Sequence, residues 1–397
     1  YSECFWIEGC APPLVKDHKI KFRLKEGAKP VARQPIPLSP YDDVRVEYHI
    51  EENVAQGKLR KIDVRKEAIP EWSTPAFVVD QDAKGLLGRM VCAYGPVNKC
   101  LETSSFPSAD PQRAFDIAAF KDHHTVVDAI WGYTHFELTE ETRRLLVICS
   151  RSGLEWTRMP FGPSPAPAEM QGYVAQRFGS LRDKRGNEFC SPCMDDLKIS
   201  SRTFEEHLEH MEILLKEARK SGFEFKATKG QYNQPEIEFW GVICDRHGRR
   251  QIPKRIKQFE EWPMPVSTDA VNSFLAFVNY LREHMDPQWI YWEQALRQYR
   301  KKNADFAATW NKKVKVKFPD GSKEVLPEEA FLKIRTMLGK DVVLHHVDFA
   351  AAADPEKSGR PLEMFVDASD YGWCATLCQR AQPQAAPKVI ACIAKAF

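Results

Sequence analysis

The most regular pattern of hydrophobic and polar positions begins at Thr203. Thr203 and Glu206 have the spacing of a capping box, in which each residue satisfies a free backbone amide at the start of a helix. Apolar residues then recur three or four positions apart, at Leu208, Met211, Leu215 and Ala218. Gly222 suits the left-handed conformation that ends many helices. The sequence therefore predicts a helix from Thr203 to about Lys220.

Two shorter helices are predicted further along the chain. Pro253 can open one helix, which Pro263 closes, and Ser267 or Thr268 can cap the next. The second helix has an apolar stripe formed by Val271, Phe274, Leu275, Val278 and Leu281. The pair indicates a small helical subdomain.

Runs typical of strands lie on both sides of these helices. They are found at Pro75–Val79, Arg89–Cys92 and Ile237–Ile243. A later stretch, Lys312–Lys317, alternates lysine with valine before the turn sequence Pro319-Asp-Gly-Ser322, which predicts a hairpin.

Two segments lack a regular period. The chain up to about Asp63 is rich in proline and predicts an extended arm around a larger body, until a charged helix begins near Tyr41. The alanine tract at Ala350–Ala353 and the polar stretch up to Gly359 indicate an exposed linker.

Composition narrows the class of protein. A chain of 397 residues, 43% hydrophobic and 28% charged, predicts two to four globular domains. The net charge of +2 is too small to indicate a polyanionic partner by itself. Eleven scattered cysteines form no disulfide framework and indicate a reducing compartment. Without a signal-peptide pattern or a membrane-length apolar run, we expect a soluble protein with no membrane partner. Because the chain starts at Tyr1 rather than methionine, we expect it to be an excised or processed piece.

Acidic residues interrupt two apolar runs, Thr125–Asp128 and Cys193–Ile199. An unpaired carboxylate is costly in such surroundings. Asp195 and Asp196 fall between two short strand-like segments, where a hairpin turn would direct both carboxylates toward one site. Hard oxygen ligands of this kind bind Mg²⁺, and two such ions promote in-line phosphoryl transfer, the reaction of polymerases. Considered without their neighbours, the same aspartates are more often turn caps.

The neighbouring motifs resemble the reverse transcriptase of gypsy-type long-terminal-repeat retrotransposons, a segment of their Pol polyprotein. The resemblance runs in one order from Lys16 to the end of the chain. Its motifs are Met159-Pro-Phe-Gly162, Ala166-Pro-Ala168, the Asp195-Asp196 pair, Thr203–His210, Gln234–Gly241, Glu261-Trp-Pro263, Ser273-Phe-Leu275 with Asn279-Tyr280, and Pro361–Gly372.

The resemblance implies an α+β fold, the right-hand polymerase with fingers, palm and thumb, followed by a connection and a truncated ribonuclease H-like α/β segment. The expected parts are an extended arm over 1–40, fingers and palm over 41–245, a helical thumb over 246–287, a connection over 288–360 and the ribonuclease H-like start over 361–397. Of the ribonuclease H carboxylates only Asp367 is present, so ribonuclease H activity is not expected from this chain.

Catalytic and nucleotide-binding roles follow from the same resemblance. It assigns Asp128, Asp195 and Asp196 to the metal ions, and Lys229 to protonation of the leaving pyrophosphate. Arg89 corresponds to the fingers arginine that grips the triphosphate, and Tyr133 to the steric gate beneath the incoming sugar. Phe161 and Gly162 would line the nucleotide pocket. The alternatives are a core tyrosine at Tyr133, solvated charges at Arg89 and Lys229, and a simple turn at Phe161 and Gly162.

Contacts to primer and template are expected in the thumb. Trp240 and Gly241 correspond to the hairpin that positions the primer, with an ordinary half-buried strand as the alternative. A duplex backbone would be followed by the basic residues Arg249, Arg250, Lys254, Arg255 and Lys257. A solvated charged face is the alternative for this set.

The resemblance also has departures. Cys193 stands where the family has tyrosine two residues before its aspartate pair, and the fingers motif reads Ala93, Tyr94, Gly95 without its usual aspartate and arginine. Cys190 and Cys193 have the spacing of a redox or zinc half-site, but the sequence shows no second pair to complete it.

The predicted function is therefore RNA-directed and DNA-directed DNA synthesis. It would require two Mg²⁺ ions, or Mn²⁺, with a template–primer duplex and deoxynucleoside triphosphates as partners. A homodimer or other Pol modules are further partners, in the cytoplasm within a retroelement particle or in the nucleus. The alternatives are a catalytically decayed nucleic-acid-binding remnant and a structural subunit of a larger assembly.

Overall fold

The computed structural model describes residues 1–80, 82–103, 106, 109–149, 153–301, 304–318, 320–338, 342–369 and 372–396. The α-helices of this part of the chain are α1 (Pro40–Ala55), α2 (Gly95–Cys100), α3 (Pro111–Ala118), α4 (Glu140–Leu145), α5 (Ala166–Arg177), α6 (Phe204–Ser221), α7 (Pro253–Glu260), α8 (Thr268–Leu281), α9 (Trp289–Leu296), α10 (Phe306–Thr309), α11 (Pro327–Arg335), α12 (Phe349–Ala353) and α13 (Pro355–Ser358). Short 3₁₀ helices lie at Ser2–Cys4, Asp82–Leu87, Gly132–His135, Ala227–Lys229, Arg282–His284 and Arg297–Arg300.

The strands are mostly short. They are β1 (Lys19–Ile20), β2 (Leu59–Lys61), β3 (Ala76–Val79), β4 (Arg89–Cys92), β5 (His123–Asp128), β6 (Glu137–Leu138), β7 (Val147–Ile148), β8 (Leu154–Trp156), β9 (Cys190–Cys193), β10 (Asp196–Ser201), β11 (Gln231–Gln234), β12 (Glu236–Phe239), β13 (Val242–Asp245), β14 (Gly248–Gln251), β15 (Val314–Phe318), β16 (Gly321–Val325), β17 (Leu344–His345), β18 (Leu362–Ser369), β19 (Gly372–Arg380) and β20 (Pro387–Ala396).

The chain folds into two compact units. The first unit contains residues 1–110 and 123–233, and the second contains residues 111–122 and 234–397. Each unit has its own hydrophobic core. The five-part division predicted from the sequence stays a prediction.

The first unit is built on a sheet with the strand order β11-β5-β10-β9. Its centre is apolar because Val127, Leu197 and Ile199 are fully buried. Helix α6 packs on β10 and helix α5 on β9. The N-terminal segment lies along this unit: β1 pairs in parallel with β6, and Phe5 forms an isolated bridge with Phe225.

The second unit contains a sheet with the order β12-β13-β14-β17, the hairpin β15–β16, and a sheet with the order β18-β19-β20. Helices α7, α8 and α11 share a core in which Phe259, Phe274 and Phe331 are fully buried. The ring centroids of Phe274 and Phe331 are 4.5 Å apart.

Several predicted elements are confirmed. The Thr203 hydroxyl accepts a hydrogen bond from the Glu206 amide, and α6 ends at Gly222, whose φ of 78° is left-handed. Ser267 caps α8, and all five residues of its predicted apolar stripe are buried. Strands β15 and β16 form the predicted hairpin, although Pro319 of its turn lies outside the described residues.

Three expectations were wrong in detail. Leu208 is 55% exposed, because α6 turns His207, His210 and Leu214 toward the sheet instead. Residues 237–243 do not form one strand: β12 and β13 fold back on each other across a turn at Trp240 and Gly241, where both residues have left-handed φ angles of 52° and 75°.

The third correction concerns the expected linker at residues 350–359. Most of this stretch is helical, in α12 and α13, because the Asp348 and Asp354 carboxylates accept hydrogen bonds from the first-turn amides of Ala351 and Lys357. Ala351 is buried, whereas residues 353–357 and Gly359 are exposed, so the correction concerns the helical structure and not the predicted exposure. Within the described residues, every helix is too short or too polar to cross a membrane.

Candidate active site

The predicted pair of aspartates lies at the tip of the β9–β10 hairpin. Met194 and Asp195 form the turn, and Met194 has a left-handed φ of 55°. The Met194 amide donates to the Gln171 side-chain oxygen over 2.8 Å, and the Ala129 amide donates to the Asp195 carbonyl over 2.7 Å. These two bonds fix the turn against α5 and against the end of β5.

Asp128 is the last residue of β5, directly after the buried Val126 and Val127. In the antiparallel register between β10 and β5, Asp196 is paired with Asp128. The sheet therefore brings Asp128 to the same edge as Asp195 and Asp196, which follow it by 67 and 68 residues in the chain.

The three carboxylates interact electrostatically. Burial raises the pKa of Asp196 to about 6, and the negative charges of Asp195 and Asp128 add to the shift. Burial also raises the pKa of Asp195, with a further contribution from Asp128. Lys229 opposes both shifts. Carboxylates that repel one another in this way gain most from a shared cation, and their oxygen-only donor set suits Mg²⁺.

Lys229 stands beside the cluster. It ends the 3₁₀ helix Ala227–Lys229, and its Nζ lies 3.0 Å from Asp128 Oδ1 and 3.2 Å from Asp128 Oδ2. The Lys226 amide donates to the Asp128 carbonyl over 2.9 Å, which holds this helix against the end of β5. The Lys229 side chain is 58% exposed, so its ammonium group is accessible to solvent.

The predicted nucleotide-binding residues lie in contact with one another. The Tyr133 ring meets the Phe161 ring edge-on at a centroid distance of 4.7 Å, and the Arg89 guanidinium lies 4.5 Å from the Phe161 centroid. Burial raises the pKa of Tyr133, and the charge of Asp195 raises it further. A row of side chains therefore leads from Arg89 through Phe161 and Tyr133 toward the acidic cluster.

A small cavity adjoins this row. It has a volume of about 210 Å³, and its walls include Arg89, Phe161, Lys58 and Trp131. The Lys58 ammonium lies 3.6 Å from the centre of the Trp131 ring. The lining carries the positive charges of Lys58 and Arg89 against the single negative charge of Glu52, and this excess of positive charge suits a phosphate-bearing ligand.

Two glycines permit close approach at the site. Gly162 has a φ of 110°, and a Cβ there would lie 3.0 Å from Tyr94 Cδ2. At Gly132, which the sequence reasoning did not single out, a Cβ would lie 2.5 Å from Met170 Cε and 3.2 Å from Asp195 Cβ. Gln171 was missed as well. The sequence carries no local signal for either role, because each depends on a tertiary contact.

The remaining predicted site residues belong to the second unit. Trp240 and Gly241 form the β12–β13 turn, and the Arg255 guanidinium donates to the Gly241 carbonyl over 2.7 Å. Arg255 also hydrogen-bonds the Tyr280 hydroxyl. Arg255 therefore supports the shape of this turn.

The other basic residues of the predicted duplex contact differ in accessibility. Arg249 pairs with Glu283 at 3.1 Å, lies over the Phe115 ring, and has an 11% exposed side chain. Arg250 pairs with Asp245 at 2.8 Å and also with Glu236. Lys254 and Lys257 are exposed, the latter 3.8 Å from Glu261. The set is thus divided between structural arginines and solvent-facing lysines.

Asp367 lies in β18, paired with Cys374 of β19, and is exposed. Two residues of the motif Pro361–Gly372, Asp370 and Tyr371, lie outside the described residues. Cys193, which stands where the family has tyrosine, pairs with Asp196 across the β9–β10 hairpin. Burial raises the pKa of Cys190 to about 12, which disfavours the thiolate that redox or zinc chemistry needs.

Comparison with known proteins assigns a family to the segment that contains the three aspartates. Residues 109–244 match the sequence family described as reverse transcriptase (RNA-dependent DNA polymerase), and they include Asp128, Asp195, Asp196 and Lys229. The chain contains a reverse transcriptase domain. The predicted resemblance to gypsy-type retrotransposons is confirmed by relatives from the fruit fly Drosophila melanogaster.

These relatives are long polyproteins. The chain is 23% identical over 358 residues to the retrovirus-related Pol polyprotein from transposon 297, covering 89% of this chain and 31% of the relative. It is 23% identical over 332 residues to the Pol polyprotein from transposon gypsy, covering 82% of this chain and 30% of the relative. The chain thus spans about a third of the length of these relatives.

Solved structures confirm the fold of the chain. The foamy viral protease-reverse transcriptase in complex with RNA/DNA hybrid superposes with a TM-score of 0.73 at 16% identity, covering 99% of this chain and 48% of that one. The same viral protein in complex with double-stranded DNA gives a TM-score of 0.73 at 17% identity, covering 98% and 73%. The α+β polymerase fold predicted from the sequence is confirmed.

Proposed function

We propose that the chain is an RNA-directed and DNA-directed DNA polymerase that forms part of a retrotransposon Pol polyprotein. It would join the α-phosphate of a deoxynucleoside triphosphate to the 3′-hydroxyl of a primer, with release of pyrophosphate. The observation that carries this proposal is the pairing of Asp196 with Asp128 at the tip of the hairpin that also holds Asp195. The reverse transcriptase family match over the same residues supports it.

Two Mg²⁺ ions fit this donor set, and Mn²⁺ is a chemically similar substitute. Asp128 and Asp195 would hold both ions, with Asp196 assisting. When bound, such ions activate the attacking hydroxyl and neutralise charge on the phosphates. The raised pKa values of Asp195 and Asp196, caused first by burial and then by neighbouring carboxylates, support the fit, because a bound cation would stabilise both ionised groups.

The side chains beside the cluster have roles that match their positions. Arg89 would donate hydrogen bonds to the triphosphate, with its guanidinium held over the Phe161 ring. Tyr133, braced by the same ring, would lie under the sugar and exclude a 2′-hydroxyl. Lys229 would leave its ion pair with Asp128 and give a proton to the departing pyrophosphate.

The proposed partners are a template–primer duplex and deoxynucleoside triphosphates. The structural neighbours bound to RNA/DNA hybrid and to double-stranded DNA support a nucleic-acid partner. Lys254 and Lys257 of α7 are the solvent-facing candidates for contacts to phosphates. Assembly as a homodimer or with other Pol modules, and residence in the cytoplasm or the nucleus, belong to the same proposal.

Primer extension on a homopolymer template in Mg²⁺ tests the polymerase. The wild-type chain should extend the primer, and Asp195→Asn should abolish extension while it leaves the fold intact. Asp43→Asn is a matched control, since Asp43 is an exposed carboxylate in the first turn of α1. Equal extension by wild type and Asp195→Asn would remove the proposed active site.

A second candidate, a nucleic-acid-binding remnant that has lost catalysis, is favoured by one observation. Cys193, in place of the family tyrosine, pairs with Asp196 itself. This candidate predicts salt-sensitive duplex binding with no extension at any Mg²⁺ concentration. Extension gained on Cys193→Tyr, in a chain otherwise inactive, would assign the loss to this position.

A further inference from the structure

A second group of metal-ligating side chains lies at the start of α6, apart from the three aspartates. Asp183, Glu206 and His210 each offer a ligand atom, and these atoms all lie within 4.8 Å of one another. Glu206 and His210 are four residues apart on α6, so they share one helix face. Asp183 lies in the turn after α5. A β-bridge between Arg182 and Glu188 closes this turn.

The His210 ring is held in one orientation. It is 2% exposed and stacks on the Phe189 ring at a centroid distance of 4.2 Å with an interplanar angle of 11°. Its Nδ1 lies 2.8 Å from the Ser201 hydroxyl, a contact outside the three-residue group. A hydrogen bond at one ring nitrogen is what typically orients a histidine so that the other nitrogen can bind a metal.

The other ring nitrogen faces the carboxylates. His210 Nε2 is 3.9 Å from Asp183 Oδ2, which is too long for a hydrogen bond. Two ligands bound at about 2.0–2.1 Å to one tetrahedral ion are roughly 3.4 Å apart. A contraction of about half an ångström would therefore bring the two atoms to the spacing of a shared ion.

Both carboxylates are already oriented by backbone amides. Asp183 Oδ1 accepts hydrogen bonds from the amides of Arg185 and Asn187 at 2.8 and 2.7 Å. Glu206 Oε2 accepts one from the Arg202 amide at 2.6 Å. Each ligand is thus held by the protein before any ion binds.

The charge of the group also favours a cation. Within the part of the chain that the structure describes, neither Asp183 nor Glu206 forms an ion pair with a lysine or an arginine. The neighbouring Lys184 pairs with Glu209 at 3.1 Å instead. Two carboxylates and a neutral imidazole would together balance the charge of a divalent ion.

We propose that Asp183, Glu206 and His210 bind a divalent transition-metal ion, with Zn²⁺ as the best match. A mixed nitrogen and oxygen donor set favours Zn²⁺, Co²⁺ or Mn²⁺ over Mg²⁺. Water would complete the coordination of three protein ligands. The ion would tie the 183–187 turn to α6, and it is distinct from the ions proposed for Asp128, Asp195 and Asp196.

The site can be tested without measuring polymerase activity. Zn²⁺ is titrated into the Asp128→Asn/Asp195→Asn double variant by calorimetry, so that the acidic cluster of the proposed active site contributes little. We expect one equivalent to bind and the melting temperature to rise. The visible absorption of bound Co²⁺ reports its ligand geometry in the same protein.

Asp183→Asn and Glu206→Gln should each weaken Zn²⁺ binding at least tenfold, while both retain side chains that can cap the local turns. Glu205→Gln is the matched control, because Glu205 is exposed in the same first turn of α6. If Zn²⁺ binds equally well to Asp183→Asn, Glu206→Gln and Glu205→Gln, or binds to none of the proteins, the proposal is overturned. Neither result depends on whether the chain polymerises DNA.

Discussion

Asp196 of β10 is paired with Asp128 of β5 in the antiparallel register of the central sheet. Directly opposed side chains on one face of a sheet lie about 5 Å apart, and like charges at that distance repel. Asp128 nevertheless ends β5 directly after the buried Val126 and Val127, and Asp196 begins β10 directly before the buried Leu197. This sheet edge therefore concentrates negative charge in a place where the fold alone gains nothing from it.

The stability of the metal-free protein should depend on the ionisation of Asp196. Its pKa is about 6 in the folded state against an ordinary value of 3.8, so the folded state binds a proton more tightly than the unfolded state. Stability contributed by this proton is present below pH 4 and is lost as the pH rises through 6. Asp196→Asn should therefore become the more stable protein at pH 7.5, by roughly 1 kcal/mol once solvent screening is allowed for.

Urea unfolding in EDTA at pH 4 and pH 7.5 measures this difference between wild type and Asp196→Asn. Addition of Mg²⁺ at pH 7.5 should stabilise the wild type more than the variant, which keeps Asp128 and Asp195 but lacks the assisting carboxylate. A difference between the two proteins that stays constant over this pH range would contradict the raised pKa of Asp196, which burial causes first and the neighbouring carboxylates increase.

Lys229 should compete with the metal ion for Asp128, because its Nζ lies 3.0 Å from Asp128 Oδ1. We expect Lys229→Gln to lower the Mg²⁺ concentration needed for half-maximal primer extension. The same variant should extend more slowly at saturating Mg²⁺, by about 10²-fold to 10⁴-fold, since it lacks the proton donor for pyrophosphate. Lys226→Gln is the control within the same turn. An unchanged rate at saturating Mg²⁺ would exclude Lys229 as the acid.

Tyr133 should discriminate between sugars, because the Phe161 ring braces it at 4.7 Å. Tyr133→Val should raise the relative kcat/KM for ribonucleotides by about 10-fold to 200-fold, as expected for removal of a steric contact. Tyr133→Phe keeps the ring and should retain the discrimination. Equal selectivity in the valine and phenylalanine variants would identify Tyr133 as a core residue only.

The basic residues near the β12–β13 hairpin should separate into two classes. Arg255→Ala should destabilise the second unit, because it removes the donor to the Gly241 carbonyl, and Gly241→Ala should do the same, since a Cβ there would collide with Arg255 and Tyr280. Lys254→Ala should leave the melting temperature unchanged. It should reduce the salt dependence of duplex binding by about one unit of slope.

Duplex binding measured from 50 to 300 mM salt, together with thermal unfolding, distinguishes these classes. A loss of stability in Lys254→Ala, or an unaltered melting temperature in Arg255→Ala, would reverse the assignment.

Elements set by neighbouring residues were predictable from the sequence. The caps at Thr203 and Ser267, the glycine at 222 and the stripe of α8 all act within a few residues, so their pattern is visible in the chain itself. The buried face of α6 was not predictable, because His207 and His210 lie inward through hydrogen bonds to Ser201 of the sheet. A pattern of hydrophobic positions does not reveal that a histidine has such hydrogen-bond partners.

By itself, the sequence determined which carboxylates were candidates, since aspartates after apolar strand residues and an ordered series of motifs can be read directly. Only the tertiary structure decided that Asp128 meets Asp195 and Asp196, that Arg249, Arg250 and Arg255 are held in internal contacts, and that Asp183 approaches His210. The physical reason is that each of these contacts depends on strand pairing and helix packing between segments that are remote in the chain. Their geometry is therefore set only when the hydrophobic cores form.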